Sequence, residues 1–340
     1  MKTLRFLKQA VVIGGMLVLG TRSYAQDHIY SQFFNAPVYL NPALNGEFNG
    51  SFRFNMIYRN QWSAMTGDLS YISASADYRL PGYAGGLGLV VNSSSEGTAY
   101  LKKNNVAGIY SYSVGSEKFV ASFGLQAGLT NRKMDFSKLV FSDQLDPRLG
   151  FDGGVSLAEQ PYNESKTYFD SGAGVNFVIG NAMIGGSMLH LNKPDESFTG
   201  STVPTPVRTA VHASYKYSLD RYDPYSDDNS YIIPSVVYYR QAAAVSLSAG
   251  MQFKYRGMNI GAWYRSNGRG KSDALVFSLI FDIFTSTYGS QKVRLGVSHD
   301  ATTSKLNYGN TSGTSELSVG FETGEGRDKG YGSLRCYDFY

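Results

Sequence analysis

Apolar and polar residues alternate without a lapse along several stretches of the chain. From position 245, one face of the pattern carries Val245, Leu247, Ala249, Met251, Phe253 and Tyr255. The other face carries Ser246, Ser248, Gly250, Gln252, Lys254 and Arg256. The same period of two recurs at 291–300 and at 316–322. This period predicts extended strands with one apolar and one polar face.

About fourteen such segments follow position 50, each close to the roughly 9 to 11 residues that a tilted membrane strand requires. They begin near Ser51, Leu69, Ala84, Ala99, Phe119, Tyr168, Ala182, Arg208, Ser230, Ala244, Met258, Asp273, Gln291 and Gly313. Beyond position 25 the sequence contains no apolar stretch of about 18 residues, which a membrane-spanning helix would need. A sheet in lipid must close on itself to pair its backbone groups, so the pattern predicts an all-β, antiparallel transmembrane β-barrel.

A soluble β-sandwich is the alternative fold, because its strands alternate as well. Lone charges between apolar neighbours favour the barrel, since they would face a lumen. They are Asp77, Arg79, Lys216, Arg265 and Asp282.

The lengths of the connections also fit a barrel, which has short periplasmic turns and longer outer loops. Long connections are predicted at 131–166, 192–207 and 301–312, and short ones at Gly180-Asn181 and around Gly257. Two connections break the rule: 220–229 is long where a turn is expected, and 242–243 is short where a loop is expected. Pro234 predicts a bulge or weak pairing in the ninth strand.

The first 25 residues read as a secretory signal that directs the chain to the outer membrane. Lys2, Arg5 and Lys8 precede an apolar run, and a small-residue cleavage site ends at Ala25. The apolar run, from Ala10 to Gly20, is too short for the roughly 20 residues of a membrane anchor. The predicted division is a signal at 1–25, an N-terminal segment at 26–50, a barrel at 51–324 and a periplasmic tail at 325–340.

The segment 26–50 contains Pro37 and Pro42 together with several asparagines, a composition that favours turns. A barrel of about fourteen strands is wider than one that its own side chains fill. We therefore expect this segment to enter the periplasmic mouth as a partial plug, or else to form a disordered leader.

The charge of the chain argues against two possibilities, a nucleic-acid partner and a soluble domain. The four basic residues of the signal leave 31 − 4 = 27 basic residues against 27 acidic ones, so nucleic acid is not an expected partner. Charged residues make up 17% of the chain, below the roughly 25% of soluble domains. Outer-membrane lipid is the expected surrounding, and 26 tyrosines suit aromatic girdles at its surfaces.

Candidate chemistry is sparse, and neither a metal site nor a cofactor is predicted. The stretch 268–272 resembles the end of a phosphate-binding loop, but Arg265 stands where that motif needs glycine, so we expect an exposed turn. The histidines at 28, 190, 212 and 299 lack ligand spacing. The carboxylates at 220, 223, 227 and 228 fit a solvated turn better than a calcium loop.

A lipid-acting hydrolase would need a serine and a histidine together on the lipid-facing surface. His212 and His299 have mixed or lumen-side parity, and the GxSxG elbow does not occur in the sequence. We therefore expect a protein that is not an enzyme.

Five short stretches resemble the PorP/SprF family of type IX secretion system outer-membrane proteins of Bacteroidetes. They are Gln32-Phe33-Phe34-Asn35, Leu40-Asn41-Pro42-Ala43 with Gly46, Tyr58-Arg59-Asn60-Gln61-Trp62, Asp143-Gln144-Leu145-Asp146 and Leu334-Arg335-Cys336. The family often has proline after its terminal Arg-Cys pair, whereas this chain has Tyr337.

The resemblance implies a non-enzymatic accessory barrel that helps to export and hold adhesin-like cargo bearing a type B C-terminal signal. It also implies docking to a periplasmic lipoprotein ring and a peptidoglycan-binding lipoprotein, as an alternative or additional role. The implied partner contacts are Gln32, Asn41, Pro42, Ala43, Arg59, Gln61, Trp62, Asp143, Gln144, Arg335 and Cys336. Trp62 is equally explained as an aromatic of the outer girdle. A passive diffusion pore and a lipid-acting hydrolase are the alternative functions.

Overall fold

The segments in which apolar and polar residues alternate form long antiparallel strands. The computed structural model describes residues 27–48, 50–80, 84–97, 101–116, 118–146, 163–198, 200–219, 230–284 and 291–323, with 148, 150–151, 153–154 and 156–157. The fourteen long strands within these ranges are Phe52–Gln61 (β1), Asp68–Arg79 (β2), Gly85–Gly97 (β3), Leu101–Ser116 (β4), Phe119–Lys133 (β5), Ser165–Ile179 (β6), Ala182–Leu189 (β7), Arg208–Tyr215 (β8), Ser230–Gln241 (β9), Ala244–Tyr255 (β10), Met258–Ser266 (β11), Ser272–Phe284 (β12), Gln291–Thr302 (β13) and Thr314–Thr323 (β14).

Every strand pairs antiparallel with the next one along the chain, and β14 pairs with β1, so the sheet closes into a ring. The predicted barrel and its number of strands are confirmed. The largest difference from the predicted starting points is at β6, which begins at Ser165 rather than near Tyr168. Closure leaves the ring of fourteen long strands without a free edge, as a sheet surrounded by lipid requires.

The apolar face of the strands points outward. Leu125, Phe277 and Leu317 are 63%, 58% and 57% exposed, whereas Ser111 and Gln252 on the opposite face are fully buried. A β-sandwich would bury the apolar face between two sheets, so the sandwich alternative is wrong.

The three long connections follow β5, β7 and β13, as predicted, and all lie at one end of the barrel, here called the loop end. The opposite end, the turn end, has the short turns at Gly180-Asn181 and Arg256-Gly257. The turn at Ala242-Ala243 is short although it lies at the loop end. The connection at 220–229 lies outside the described residues.

The long connections carry small elements of their own. These are the 3-10 helices Phe136–Lys138 and Ser142–Gln144, the paired two-residue strands Leu145–Asp146 and Gly150–Phe151, and the helix Tyr308–Thr311.

Pro234 interrupts the ladder between β8 and β9 without shifting its register. Pairing runs to Ser214 opposite Ser235, stops beside Pro234, and resumes at a two-residue strand, Tyr217–Ser218. The predicted weak pairing is confirmed and the predicted bulge is wrong. Proline has no N–H to donate, which accounts for the gap.

The segment that precedes β1 lies inside the ring. It forms three short helical turns, Phe33–Asn35, Pro37–Leu40 and Pro42–Leu44, and every residue from 30 to 46 is buried. We call residues 27–48 the plug. Within the described residues, the structure contains no helix long and apolar enough to cross a membrane.

Candidate functional site: the plug and the wall it contacts

The plug descends through the lumen from the loop end to the turn end. Near its start, a carboxylate oxygen of Asp27 lies 3.1 Å from Lys103 Nζ, at the loop end of β4. In its middle, the side-chain amide of Asn41 donates to the backbone oxygen of Val175 at 2.9 Å. Near its end, the N–H of Gly46 donates to a carboxylate of β2, close to the turn end, at 2.8 Å. The plug therefore occupies the lumen along most of its length.

A buried carboxylate on β14 holds the plug backbone. Glu316, which is fully buried, accepts the N–H groups of Ser31 and Gln32, each at 2.8 Å. Arg59 Nη1 donates to the same carboxylate at 2.6 Å. Hydrogen bonds to an ionised group are stronger than neutral ones, so this carboxylate is a firm attachment point.

A second carboxylate completes this group, here called the glutamate cluster. Asp300 accepts the hydroxyl of Ser31 at 2.6 Å and pairs with Arg265 Nη2 at 2.8 Å. Arg59 Nη1 lies 3.4 Å from the same oxygen of Asp300. Two guanidinium groups thus face two carboxylates, Asp300 and Glu316, in a buried site. Removing one member leaves the charge that it pairs with short of a partner, which is costly in a low-dielectric interior.

The first residue of the plug sits in another charged group, here called the aspartate cluster. Asp27 lies 2.6 Å from His190 Nε2, and its N–H donates to the side chain of Gln241 at 2.7 Å. His190 Nδ1 lies 2.8 Å from Asp170 of β6. Lys103 Nζ bridges the carboxylates of Asp27, at 3.1 Å, and Glu196, at 3.0 Å. Four elements of the barrel therefore meet around the start of the plug: β4, β6, the loop after β7 and β9.

Both titratable groups at the centre of this cluster lie outside the strands, one in the plug and one in the loop after β7. Burial raises the pKa of Asp27, but Lys103 and His190 outweigh burial and hold that pKa well below its usual value. Burial lowers the pKa of His190, but Asp27 and Asp170 outweigh it and raise the pKa to about 9. At neutral pH the imidazole is therefore charged and paired on both nitrogens.

The middle of the plug is held by apolar packing instead. The rings of Phe33 and Phe34 lie 6.1 and 5.5 Å from the Trp263 ring, and Leu40 and Leu44 belong to the same buried cluster. The wall supplies Val120, Val178, Met183, Ala210, Val237, Tyr239, Val276 and Ile280. The alternation predicts a lumen face that is polar throughout. The face is instead partly apolar, because the plug covers these inward apolar side chains.

Inward-facing glycines let the plug approach the wall. A Cβ on Gly124 of β5 would lie 2.3 Å from the carbonyl carbon of Pro42. A Cβ on Gly174 of β6 would lie 2.0 Å from Asn41 Oδ1. Real Cβ atoms do not come this close, so a larger residue would force the plug backbone to shift at Gly124 and the Asn41 side chain to shift at Gly174.

At the turn end, an ion pair closes the path of the plug. Arg53 and Asp77 form a bidentate pair at 3.0 and 2.7 Å. Arg53 Nη2 also donates to the backbone oxygen of Leu44 at 2.9 Å, and Asp77 accepts the N–H of Gly46. Both members of the pair therefore bind plug backbone as well as each other.

A cavity of about 1140 Å³, including space open to solvent, lies at the loop end above the plug. Asp27, Gln61, Trp62, Arg240 and Asp273 are among the residues that line it. Trp62 is half-buried beside this cavity, and its backbone N–H donates to the backbone oxygen of Gly313 at 2.9 Å. Its assignment to the outer girdle stays a prediction.

The structure brings together five of the predicted partner-contact residues inside the barrel. Gln32, Asn41 and Ala43 are fully buried in the plug, beside the buried Pro42, and Arg59 on the wall is 3% exposed. The Gln32 and Arg59 motifs meet on Glu316, although they are far apart in sequence. Gln61 joins them by accepting from Arg59 Nη2 at 3.1 Å. Their contacts with a partner protein stay a prediction.

The other predicted contacts lie elsewhere. Asp143 and Gln144 are in the long loop after β5, and Asp143 accepts the Leu157 N–H at 2.6 Å. This hydrogen bond and others from Ser156 lower the pKa of the Asp143 carboxyl. Arg335 and Cys336 lie outside the described residues, as do the signal, the tail and the aspartates at 220–228.

One prediction about histidines is wrong. His212 does face the lumen, where its Nε2 lies 3.1 Å from Asn41 Nδ2. His299, however, faces outward on β13, and its Nδ1 lies 3.0 Å from Ser315 Oγ on β14. Its Nε2 lies 3.2 Å from the Tyr308 hydroxyl. The parity argument failed for His299 because it did not place position 299 on the apolar face.

Two other candidate sites from the sequence, the phosphate-binding stretch and a metal site, can be compared with the structure. The stretch Gly268–Lys271 is an exposed turn with two glycines at positive φ, as predicted. Among the residues that the structure describes, no group of three or more His, Cys, Asp and Glu could hold a metal ion.

Sequence reasoning missed the residues that anchor the plug. Glu316 and Asp300 appeared only as polar positions in alternating strands, and Asp27 and His190 carried no motif. A charge on the polar face of a strand is a usable signal, because it needs a partner in the lumen. Which partner it finds depends on the path of the plug.

Comparisons with solved structures and with protein families both find matches. Similar solved structures include a mutant of the TodX monoaromatic hydrocarbon channel, at 10% identity and a TM-score of 0.41, covering 84% of this chain and 92% of that one. The KdgM porin has 9% identity and a TM-score of 0.33, and the match covers 81% of this chain and 99% of the porin. A triple mutant of the Rhodopseudomonas blastica porin has 9% identity and a TM-score of 0.30, and the match covers 80% of this chain and 97% of that porin.

A search of curated proteins finds no match. The family described as type IX secretion system membrane protein PorP/SprF matches residues 22–321, which include the plug and nearly all of the barrel. That match extends over most of the 340 residues. The chain therefore belongs to the PorP/SprF family of type IX secretion system membrane proteins.

Proposed function

We propose that this outer-membrane barrel is a non-enzymatic accessory of the type IX secretion system. In this role it supports export and surface attachment of an adhesin-like cargo with a type B C-terminal signal. The observation that carries the proposal is the filled lumen: residues 30–46 are buried along the axis of the barrel. A barrel filled by its own chain offers surfaces for docking rather than a wide path for solutes.

The two ends of the barrel suit two kinds of partner. With the loop end outside the cell, the loops at 134–164, 190–207 and 303–313 form the surface for cargo. Asp143 and Gln144 lie on the largest of these loops. The turn end then faces the periplasm, where the tail with Arg335 and Cys336 is the proposed contact for the lipoprotein ring and the peptidoglycan-binding lipoprotein.

The test is affinity purification from native membranes, followed by mass spectrometry of the co-purified proteins. We expect a secreted adhesin-like protein and secretion-system components with the wild-type chain. A variant with residues 136–157 replaced by a short Gly-Ser linker should lose the cargo but keep periplasmic components. Removing 325–340 should have the opposite effect. Recovery of no secretion component with the wild type would overturn the proposal.

A passive diffusion pore is the first alternative, and the plug argues against it. We expect a small conductance for the wild-type barrel in planar lipid bilayers and a much larger one after deletion of residues 27–48. A large, steady conductance of the wild type would favour the pore.

A lipid-acting hydrolase is the second alternative, and one contact favours it. Ser315 Oγ and His299 Nδ1 are 3.0 Å apart on the outward face, within reach of a membrane lipid. His299 Nε2 faces the hydroxyl of Tyr308 rather than a carboxylate, so the group lacks the acid of a Ser-His-Asp triad. Turnover of a phospholipid or lipid A that disappears in Ser315→Ala would establish this activity, and equal turnover in that variant would exclude this serine.

A further inference from the structure

A polar patch interrupts the outward face at the loop end of β3 to β6. The cross-strand row nearest the loop end is Ser95, Lys102, Lys133 and Ser165. The next row towards the turn end is Ser93, Asn104, Asn131 and Thr167. Side chains directly opposite one another in a sheet share a face, so all eight positions lie on the lipid-facing side. We call these two rows the lysine patch.

The third row is apolar and exposed. Val91, Val106, Leu129 and Phe169 are 40%, 48%, 59% and 53% exposed. In a tilted membrane strand such a band lies against hydrocarbon. The lysine patch therefore sits where the hydrocarbon ends and the lipid headgroups begin.

The two lysines are directly opposite each other, which is unfavourable without a counter-charge. Lys102 pairs with Lys133 in the register of β4 and β5, and like charges in this position repel. Among the residues that the structure describes, no carboxylate lies within ion-pair distance of either ammonium. Asp135 acts on Lys133 at longer range, but its ion pair is with Lys138 at 3.9 Å.

Hydrogen-bonding side chains flank the two lysines in both rows of the patch. Ser93 Oγ donates to Asn104 Oδ1 at 2.7 Å, and Asn131 Nδ2 bridges the hydroxyls of Ser165 and Thr167, each at 2.9 Å. The Ser95 hydroxyl, which lies opposite Lys102, is buried and has no hydrogen-bond partner. The patch thus combines two positive charges with an unsatisfied hydroxyl, a set suited to a phosphate group.

We propose that Lys102 and Lys133 bind a phosphate group of a phosphorylated glycolipid of the lipid A type in the outer leaflet. The phosphate bridges the two ammonium groups, and the acyl chains lie along Val106, Leu129 and Phe169. The apolar band below the patch is the reason for choosing a lipid over free phosphate, since a free anion gains nothing from it. This binding goes beyond the secretion role and uses the opposite side of the wall from the plug.

The test uses the purified full-length protein in nanodiscs of a neutral phospholipid, with lipid A added as the probe. Native mass spectrometry measures the fraction of barrels that retain lipid A. The variant Lys102→Ser with Lys133→Ser keeps the hydroxyls that flank this row on β3 and β6. We expect about thirtyfold weaker retention, because each lysine near an anionic lipid surface strengthens binding by roughly five- to sixfold and the two effects multiply.

Three comparisons make the result decisive. Lys305→Ser, which removes an exposed lysine from the loop after β13, should retain lipid A as the wild type does. Lys102→Arg with Lys133→Arg should retain it as well, because the charge is kept. Dephosphorylated lipid A should be retained as weakly by the wild type as lipid A is by the double serine variant.

Equal retention of lipid A by the wild type and the double serine variant would overturn the proposal. So would equal retention of the dephosphorylated lipid, or complete competition by inorganic phosphate, which would indicate a site for the free anion. The measurement involves no secretion component. A failed purification of cargo and a failed retention of lipid A are therefore separate results.

Discussion

Before the plug reaches the Arg53–Asp77 pair, two parts of it, here called its two halves, are held in the barrel by different physics. Residues 27–32 enter the glutamate and aspartate clusters, where carboxylates, guanidinium groups and an imidazolium meet below the surface. Residues 33–44 pack Phe33, Phe34, Leu40 and Leu44 against inward apolar side chains. The first half depends on charge states, whereas the second depends on shape and apolar burial.

This difference predicts how each half fails. A buried ion cluster stabilises only while every member is present and charged, because an unpaired charge in the interior is expensive. An apolar contact is insensitive to pH but intolerant of added volume, since interiors are packed at the density of organic crystals. Substitutions in the wall can therefore loosen one half at a time.

The largest effect is expected for Glu316→Ala. It leaves Arg59 without its 2.6 Å partner and two plug N–H groups without an acceptor. Losing one partner of a buried pair costs about 3–5 kcal/mol. The free energy of unfolding in detergent, measured by urea titration, should fall by that amount, and limited proteolysis should cut the plug.

Glu322→Ala is the matched control, on the same strand. Glu322 pairs with Lys292 at 2.8 Å, and its carboxylate is 16% exposed, so its loss should cost less. Glu316→Gln should fall between the two, because it keeps an acceptor oxygen. If Glu316→Ala proves as stable as Glu322→Ala, the glutamate cluster does not anchor the plug.

A smaller effect is expected from pH at the aspartate cluster. The pKa of His190 is about 9 in the folded protein, against an unfolded value near 6.5. The folded state therefore binds the proton more tightly. This contribution is fully present below about pH 6.5 and is lost as pH rises through about 9.

The measurement is the free energy of unfolding between pH 6 and pH 10, with His190→Gln as the comparison. The wild type should lose up to roughly 3 kcal/mol more than the variant over this range. Parallel pH profiles for the two proteins would contradict the paired, charged imidazole.

The smallest effect is expected for Gly124→Val in the packed half. The new Cβ would lie 2.3 Å from Pro42, so the plug must shift. Overpacking of this kind costs about 1–3 kcal/mol. Gly108→Val on β4 is the control, because Gly108 faces outward with only one backbone atom at 4.0 Å.

Thermal unfolding in detergent should separate the two valine variants, with Gly108→Val at least as stable as the wild type since valine favours strands. Unlike the change at His190, the loss in Gly124→Val should not vary with pH. A pH-dependent loss would show that the two halves of the plug are coupled.

The strands were predictable from sequence because alternation is local. Met251 and Gln252 point to opposite sides wherever the strand lies, and the pattern at 245–255 locates β10 within the chain. The need to pair backbone groups in lipid then makes the ring close. The loops at the loop end followed from the same strand bounds. The site was predictable only in fragments, as motifs around Gln32 and Arg59.

The rest of the site could not be predicted, because its contacts join distant residues. Ser31 meets Glu316 across 285 positions, and Asp27 meets His190 across 163. The alternation along β14 predicts that Glu316 faces the lumen, but it does not predict which plug residues Glu316 contacts there. The inward glycines at 124 and 174 gave no signal either, since glycine in a strand fits several explanations.

By itself, the sequence determined which residues face lipid, how many strands cross and which connections are long, since side-chain parity and backbone pairing depend only on neighbours along the chain. The tertiary structure decided that the N-terminal segment descends through the lumen from the loop end and which wall residues hold it. The reason is that closure sets the distances across the ring, and a plug selects its contacts from all strands at once.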